Sequence, residues 1–307
     1  MTDVREIDRI VTAALDEDAP WGDLTSETLI PASATAAAEL VAREPGVLSG
    51  IEVFAAAFRL TDPRIVVERL AADGDPFEAG AVLARVQGPA RGILTAERVG
   101  LNLVQRMSGV ATLTATYVAA VAGTGARIVD TRKTTPGLRS LERQAVRDGG
   151  GRNHRRSLSD AIMAKDNHLA VLTAGGRDLA TALREARERM PHTAHLEVEV
   201  DRLDQLDAVL AGGADTIMLD NFTLDDLRAG VARIGGRAVV EASGGVSLDT
   251  VAAIAATGVD VISVGALTHS ARALDLGLDV VIEPATDAAT AVSAAPATPA
   301  PAPEVSP

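Results

Sequence analysis

Positive charge is concentrated in one stretch near the middle of the chain. The stretch from Arg132 to Lys165 contains nine Lys or Arg residues and only three acids, although the whole chain carries a net charge of −13. The basic positions are Arg132, Lys133, Arg139, Arg143, Arg147, Arg152, Arg155, Arg156 and Lys165. Three of them, Arg139, Arg143 and Arg147, recur at helical i, i+4 spacing, which is also typical of a solvated helix face. The cluster as a whole favours binding of a small molecule with several carboxylates or phosphates.

Lysine is rare in this chain. Lys133 and Lys165 are its only two lysines, and both lie in the basic stretch, while all the remaining Lys-or-Arg positions are Arg. Where lysine occurs against that bias, a compact ammonium is indicated in place of a planar guanidinium. Both are therefore candidate functional residues, and the structural alternative for Lys165 is a salt bridge to Asp166 or Asp220.

Polar residues close the apolar runs that the sequence predicts as parallel strands. In chain order, the runs close with Asp130, Thr131, Arg132 and Lys133; with Lys165 and Asp166; with Glu199; with Asp220 and Asn221; with Glu241 and Ser243; and with Gly265. Active sites of β/α barrels lie at the carboxyl ends of the strands, so these residues should meet at one rim. The first two runs supply cations, which suit an anionic substrate. The next three supply carboxylates, which suit ribose hydroxyls or Mg²⁺.

Glycine-bearing turns follow the last two predicted strands. One contains Ser243, Gly244 and Gly245, and the other contains Gly265. Glycine lets backbone N–H groups approach an anion, and a following helix N-terminus favours negative charge. These turns are therefore predicted to bind phosphate.

A glycine triplet, 149–151, precedes His154 and Arg155. Such a triplet is often a flexible connector. Beside a histidine and an arginine it indicates an anion-binding loop.

The elements that must position these residues alternate between strand and helix. Predicted strands cover 127–131, 161–165, 195–200, 216–219, 238–242 and 259–264. Helical patterns cover 140–147, 178–189, 203–210, 224–233 and 248–256. This alternation predicts an α/β protein with an incomplete β/α barrel of six strands, two short of the standard eight.

The flanking segments have different patterns. The first hundred residues combine an amphipathic start at 4–15 with extended segments at 36–43 and 82–86, which is typical of an α+β domain. A long helix over about 96–121 joins the two parts, and Gly109 marks a point where that helix could break. The segment 284–307 is rich in Ala and Pro and has no Lys or Arg, which predicts a disordered tail.

Composition excludes several classes of function. The chain has 47% hydrophobic residues, enough for a full core, and no cysteine, which excludes disulfides, thiolate nucleophiles and Cys-ligated metals. Its net charge of −13 argues against nucleic acid and anionic membranes as partners. The first ten residues mix acids and arginines, and no run approaches the roughly 18 to 20 apolar residues of a membrane span. We therefore expect a cytoplasmic enzyme that acts on a small molecule.

Two long motifs resemble the quinolinate phosphoribosyltransferase family. They are RIVDTRKTTPGLR from Arg127 and DGGGRNHRRSLSDAIMAKDNH from Asp148 to His168. Shorter matches follow the family order: EDAPWGDLTSE from Glu17, AERVGLN from Ala96, LEVEVD from Leu196, IMLDN from Ile217, EASGG from Glu241 and SVGALTHS from Ser263. One departure is Met163 and Ala164 before Lys165, where the family more often has Leu and Ile. We interpret this departure as a matter of strand packing.

The resemblance implies a fold and a reaction. The fold would be an N-terminal open α/β sandwich, residues 1–108 with help from about 270–283, followed by a six-stranded β/α barrel at 109–269. The reaction would join quinolinate to 5-phosphoribosyl-1-pyrophosphate with Mg²⁺, giving nicotinate mononucleotide, pyrophosphate and CO₂ in de novo NAD biosynthesis.

The resemblance also implies roles for individual residues. The quinolinate residues would be Arg98, Arg132, Lys133, His154, Arg155 and Lys165, with Arg98 reaching in from the neighbouring subunit of a homodimer with shared sites, which could assemble further. The phosphoribosyl pyrophosphate residues would be Glu199, Asp220, Ser243, Gly244, Gly245, Gly265 and His269. Catalysis would fall to Lys133, Lys165, Glu199 and Asp220, and the last two would be the Mg²⁺ ligands.

Three other functions stay open at this point. A paralogue associated with molybdenum transport would have a related phosphoribosyl site. An aldolase-type barrel would use Lys133 or Lys165 as a Schiff base. A catalytically silent binding module is disfavoured by the complete set of rim residues.

Overall fold

The computed structural model describes residues 2–283, and the predicted disordered tail, 284–307, lies outside the described residues. The first part of the chain contains α1 (Val4–Asp18), α2 (Leu24–Leu29), β1 (Thr35–Ala42), β2 (Gly46–Val47), α3 (Ile51–Thr61), β3 (Val66–Arg69), β4 (Pro76–Phe77), β5 (Val82–Pro89) and α4 (Ala90–Ala120). The second part contains β6 (Arg127–Val129), α5 (Arg139–Asp148), β7 (Ile162–Ala164), α6 (Asp166–Leu172), α7 (Leu179–Arg189), β8 (Leu196–Val200), α8 (Leu206–Ala211), β9 (Thr216–Asp220), α9 (Leu224–Ile234), β10 (Val239–Ser243), α10 (Val251–Ala255), β11 (Val261–Ser263), α11 (Ala266–His269) and β12 (Leu276–Glu283).

An antiparallel sheet organises the first part, with strand order β12-β1-β5-β3. Alternate residues of β1 are buried, including Ala36, Ala38 and Leu40, as expected for a strand with one face on a core. The rings of Phe54 and Phe58 on α3 are fully buried and pack edge to face at a centroid distance of 4.8 Å. The central strand β1 thus pairs on one side with β12, the last strand of the described chain.

The long helix α4 is continuous, so the predicted break at Gly109 is wrong. A Cβ placed on Gly109 would lie 1.9 Å from the carbonyl oxygen of Arg272. Glycine is needed here because the segment that leads into β12 packs directly on the helix backbone. The N–H of Leu274 donates to the carbonyl of Gln105 at 3.0 Å, which fixes that contact.

Six parallel strands form the second sheet, in the order β6-β11-β10-β9-β8-β7. This confirms the predicted α/β fold with an incomplete β/α barrel. The predicted strands agree with the observed ones to within three residues at each end, while the last predicted barrel helix, 248–256, is shorter as α10. Among residues 2–283, all helices fall short of the combined length and apolar character that a bilayer crossing requires.

The barrel is open between β6 and β7, and a loop lies along the open edge. Arg152 forms a parallel bridge with Val129, and its backbone exchanges hydrogen bonds with Ile128 and Asp130 at 2.9 and 3.1 Å. The residues that follow Arg152 therefore enter the barrel mouth where further strands would otherwise close it.

Candidate active site

A cavity of about 640 Å³ lies at the carboxyl ends of the six barrel strands. It is lined by Thr131, Arg132, Lys133, His154, Arg155, Met163, Lys165, Glu199, Met218, Asp220, Asn221, Ser243, Gly244, Gly245 and Ser263. Ten of the predicted site residues are in this set. Arg98, Gly265 and His269 are not.

Strand alternation explains which side chains enter the cavity. Side chains two residues apart share a face of a strand, so Met218 on β9 lies below Asp220 and Met163 lies below Lys165. Met163, which we interpreted as strand packing, therefore lines the site, and its sulfur accepts from the guanidinium of Arg155 at 3.5 Å. Met163, Met218 and Ser263 were not predicted as site residues, although stepping back two residues from each rim position would have found all three.

Arg132 carries an unsatisfied donor at the cationic side of the cavity. Its Nε is buried and has no hydrogen-bond partner within residues 2–283. A buried guanidinium N–H without a partner costs free energy, so a ligand anion at this position would be stabilised.

The loop that carries Lys133 is fixed by a buried carboxylate, Glu142. Glu142 is 1% exposed and accepts from the backbone N–H and the hydroxyl of Thr135 at 3.0 and 2.7 Å. Arg106 of α4 donates to Glu142 at 2.8 Å and also to the carbonyls of Thr268 and Ala271. The hydroxyl of Thr268 then donates to the carbonyl of Lys133 at 2.8 Å. One network thus joins α4, the lysine loop and the turn after β11.

The loop that carries His154 is fixed by another buried carboxylate, Asp130. The Oδ1 of Asp130 accepts the N–H of His154 at 2.7 Å, and its Oδ2 accepts the amide of Asn153 at 2.7 Å. Asp130 is fully buried, below the rim where the sequence placed it. Asp130 forms an ion pair with the guanidinium of Arg143, which also donates to the carbonyl of His154 at 2.7 Å.

The arginines of α5 are therefore more than a solvated helix face, although Arg147 is exposed. Arg143 is mostly buried against the loop, Arg139 donates to Thr134 and to the carbonyl of Arg156, and Arg147 donates to Asn153 at 2.5 Å. Helical spacing places all three on the side of α5 that faces the loops of the site. Their role in the chain is to hold these loops.

Lys165 forms an ion pair with Glu199 at the rim of the cavity. The structural alternative considered from the sequence, a salt bridge of Lys165 to Asp166 or Asp220, names the wrong partner. The reason is the register of the sheet: β7 and β8 are neighbours, and Ala164 pairs with Val198, so the next residues lie side by side. Glu199 thus neutralises a cation that the sequence assigned to the opposite half of the rim.

His154 contacts two buried glutamates beneath the cavity, Glu197 and Glu241. Its Nε2 lies 3.1 Å from Glu197 Oε2 and 3.5 Å from Glu241 Oε2. Burial lowers the pKa of His154, but the hydrogen bonds to Glu197 and Glu241 outweigh burial and raise it, so the coupled group of His154 and the two glutamates retains a proton. Burial also raises the pKa of Glu197 above its usual value, so this group of side chains holds protons tightly.

The ring of His154 has a defined tautomer. Its Nδ1 accepts the backbone N–H of Arg155 at 2.7 Å, so the ring proton is on Nε2, facing the two carboxylates. A second ring proton on Nδ1 would point at that N–H. We therefore place any further proton of the group on the carboxyl of Glu197.

Asp220 is oriented by a strained neighbour. Asn221 has a left-handed backbone, with φ of 57°, and its amide donates to Asp220 Oδ2 at 2.7 Å. Its backbone N–H donates to the carbonyl of Ser243 at 2.9 Å. Gly244 must be glycine, because its φ is +89° and a Cβ there would lie 2.2 Å from Asn221 Oδ1. The aspartate and the glycine turn are thus held as one unit.

The three predicted residues outside the lining have distinct positions. His269 packs against Gly265, where an added Cβ would lie 3.0 Å from its Nε2 and 3.2 Å from the side chain of Lys133. Both therefore lie beside the cationic edge of the mouth. Arg98 is exposed on α4 and does not line the cavity of its own chain.

Comparison with known proteins gives consistent matches. Residues 23–108 match the family description "Quinolinate phosphoribosyl transferase, N-terminal domain", and residues 110–279 match its C-terminal domain. The chain is 46% identical to the nicotinate-nucleotide pyrophosphorylase [carboxylating] of Mycobacterium leprae over 278 residues, covering 88% of this chain and 95% of that protein. It is 42% identical to a probable enzyme of the same name from Bacillus subtilis, covering 87% and 90% of the two chains. The crystal structure of NadC from Streptococcus pyogenes superposes with a TM-score of 0.87 at 38% identity, over 92% of this chain and 100% of that chain.

Proposed function

The chain belongs to the quinolinate phosphoribosyltransferase family, and from that membership we infer that it converts quinolinate and 5-phosphoribosyl-1-pyrophosphate to nicotinate mononucleotide, pyrophosphate and CO₂ in NAD biosynthesis. The observation that supports this reaction best is the distribution of charge within the cavity at the barrel rim. Cations lie on one side, and carboxylates with a glycine turn lie on the other.

The cationic side is proposed to bind quinolinate. Arg132, Lys133, Arg155 and Lys165 line it, and a substrate with two carboxylates would give each of several cations an anionic partner. Arg132 Nε, which lacks a partner in the described chain, is the donor that gains most from such a ligand. His154 lines the same side.

The carboxylate side is proposed to bind the phosphoribosyl group. When the quinolinate nitrogen attacks C1 of the ribose, the bond from C1 to the pyrophosphate oxygen breaks and its electron pair leaves with pyrophosphate. Positive charge develops on the sugar ring, and the carboxylates of Glu199 and Asp220 stabilise it electrostatically. The backbone N–H groups of 243–245, with Gly265 and His269 beside the mouth, suit phosphate oxygens.

Decarboxylation needs no nucleophile from the protein. Once its nitrogen carries ribose, the pyridine ring is cationic and accepts the electron pair of the bond to the leaving 2-carboxylate. CO₂ departs and a proton from water replaces it at C2. The protein only has to hold the pyridine ring in place, and the cations of the cavity do this.

The site suits Mg²⁺ as part of this proposal. Glu199 and Asp220 are oxygen donors of the kind that Mg²⁺ prefers. Within residues 2–283, the hydrogen bonds to them use Glu199 Oε2 and Asp220 Oδ2, so one oxygen of each carboxylate faces no protein donor. Bound there with the pyrophosphate, the ion would neutralise negative charge on the leaving group.

A homodimer in the cytoplasm completes the proposal. Arg98 is exposed, and it could enter the cavity of a second subunit, whose own α4 would do the same in return. Large apolar side chains are also exposed, including Trp21 at 94%, Leu24, Leu29, Leu158 and Val171. We propose that the second subunit covers some of these side chains.

The competing functions have less support. A Schiff-base lysine must present its amine to a carbonyl substrate, whereas the Nζ of Lys165 is engaged by Glu199. The most similar relatives described above carry the name of the carboxylating pyrophosphorylase, not of a transport-associated protein.

The direct test is an incubation of the protein with quinolinate, phosphoribosyl pyrophosphate and Mg²⁺. We expect nicotinate mononucleotide and CO₂ in equal amounts. Absence of both products from a folded protein would contradict the proposed function.

A further inference from the structure

The two nitrogens of the His154 ring are both engaged inside the protein. Nδ1 accepts the N–H of Arg155, and Nε2 faces Glu197 and Glu241. Within residues 2–283, no ring nitrogen of His154 is therefore left to contact a substrate in the cavity above. A histidine that lines a binding site but offers it no hydrogen bond needs another explanation.

We propose that Glu197 and Glu241 are positioning residues: they fix the ring of His154, and His154 in turn fixes the backbone of Arg155, so that the Arg155 guanidinium faces quinolinate. The proposal rests on the function proposed above and assigns the two glutamates, which do not line the cavity, a part in substrate binding.

Burial makes the two glutamates effective supports. Glu197 and Glu241 are each 3% exposed, and they project from two different strands, β8 and β10, which are themselves tied together through β9. Rigid strands hold side chains more accurately than loops do. The hydrogen bonds of His154 with Asp130 and Arg143, by contrast, involve only its backbone N–H and carbonyl, so they leave the ring free to rotate about its side-chain bonds.

The next link runs from the ring to Arg155. With the proton on Nε2, the lone pair of Nδ1 is available to the N–H of Arg155 at 2.7 Å. The guanidinium of Arg155 then extends to the start of β7, where it donates to the carbonyl of Ala161, the residue before that strand, at 3.2 Å. A rotated or flipped ring would present a C–H or N–H to the backbone of Arg155 and displace that side chain.

A metal ion is the alternative occupant of this cluster, because the ligand atoms of His154, Glu197 and Glu241 lie within 4.8 Å of one another. One oxygen of the cluster, Glu241 Oε1, also lacks a partner in the described chain. However, the hydrogen bond to Nδ1 requires the ring proton on Nε2, which removes the lone pair that a metal would use. The cluster therefore holds a proton at that position.

The test compares two substitutions at Glu197, the nearer support. Glu197→Met keeps the size of the side chain but removes the acceptor, and Glu197→Gln keeps one acceptor oxygen. We expect Glu197→Met to raise the KM for quinolinate roughly tenfold, the factor that corresponds to one lost hydrogen bond of this kind, with a smaller effect for Glu241→Met. Glu197→Gln should restore most of the loss, and the KM for phosphoribosyl pyrophosphate should change less than about twofold. Asp73→Asn, which alters a carboxylate remote from the cavity, is the matched control and should leave both KM values unchanged.

Nitrogen NMR of His154 gives a readout that does not depend on activity. In the wild-type protein without substrate, Nδ1 should resonate as an unprotonated nitrogen and Nε2 as a protonated one, and Glu197→Met should alter this signature while Glu197→Gln preserves it. Protonated Nδ1 in the wild type would overturn the proposal even if no variant folds. An unchanged KM and ring signature in folded Glu197→Met would also overturn it, as would a failure of Glu197→Gln to rescue. If the wild type makes no nicotinate mononucleotide, the proposed function fails separately, because the NMR result stands without it.

Discussion

Lys165 and Glu199 form an ion pair that joins the two sides of the cavity. Lys165 belongs to the side proposed for quinolinate, and Glu199 belongs to the side proposed for the phosphoribosyl group. Quinolinate must therefore share or replace Glu199 as the partner of the ammonium. Once released, Glu199 is free to stabilise positive charge on the ribose.

Lys165→Ala should weaken quinolinate binding by ~1.5 to 3 kcal/mol, a tenfold to hundredfold loss, because a charge-assisted hydrogen bond is removed. Phosphoribosyl pyrophosphate should bind nearly as before. Lys165→Arg keeps the charge but replaces a compact ammonium with a broad fork beside Arg132 and Arg155, and it should lose activity too. Calorimetry with each ligand separates these outcomes. Unchanged quinolinate affinity in folded Lys165→Ala would mean that the pair with Glu199 is only structural.

Nicotinate, which lacks the 2-carboxylate, should be a poor substitute for quinolinate. A monocarboxylate leaves several cations of the site without partners, and a site built for charged groups rejects an analogue that lacks one. We expect kcat/KM for nicotinate to be lower than for quinolinate by roughly a hundredfold or more, because each cation left without an anionic partner costs binding free energy. Competition between the two acids in one assay measures the ratio, and comparable turnover would remove the quinolinate assignment.

Arg98→Ala and Lys165→Ala subunits should each be strongly impaired alone and regain activity when mixed. If Arg98 completes the site of the other subunit, a mixed dimer has one site with both native residues. The matched control mixes Arg98→Ala with the double variant of both positions, which leaves no complete site. Mixed dimers that form but show no activity above the parents would exclude a shared site.

Glu142→Ala should destabilise the protein by about 3 kcal/mol or more, because it leaves the guanidinium of Arg106 without its buried partner. Turnover should fall as well, since the lysine loop and the Thr268 turn lose a common anchor. Asp225→Ala is the control: it removes an exposed ion pair with Arg228 and should change the free energy of unfolding by less than about 1 kcal/mol. Chemical denaturation measures both, and equal effects would show that the buried network is dispensable.

The pH dependence of stability should have opposite signs at Asp73 and Asp178. Burial raises the pKa of Asp73, and the nearby charge of Asp148 adds to the effect, so its contribution to stability is present below about pH 4 and is lost as pH rises through the folded pKa. Asp73→Asn should therefore gain stability relative to wild type between about pH 4 and 7. Hydrogen bonds from Thr181 lower the pKa of Asp178, so Asp178→Asn should instead lose stability relative to wild type as pH rises through the acid range. Melting curves from acid to neutral pH decide this, and a common sign would contradict the assignment.

Much of the site could be predicted because the strands of a β/α barrel end at one rim. Apolar runs located the strands, and the polar residue that closes each run located the rim, as Asp220 and Ser243 illustrate. The partner of Lys165 could not be chosen, because that choice depends on which strands pair and in which register. Glu197 was also missed as a candidate residue. Its alternation with Glu199 places it on the inner face of β8, but its burial beneath the cavity depends on how the strands pack together. Gly109 could not be interpreted from sequence for a different reason. Glycine in a helical pattern fits either a helix break or a close backbone contact, and only the structure shows that the contact with Arg272 is the cause.

The pairing of β1 with β12 has a consequence for the order in which the chain can fold during synthesis. β1 is complete by residue 42, but its partner on one side spans Leu276–Glu283, so nearly the whole chain must leave the ribosome before that edge is covered. Until then, β1 presents a row of unpaired backbone groups while the barrel strands between them are already available to assemble. A nascent chain that ends before residue 276 therefore has an incomplete first sheet. Synthesis of β12 completes that sheet and joins the segment after the barrel to the first part of the chain.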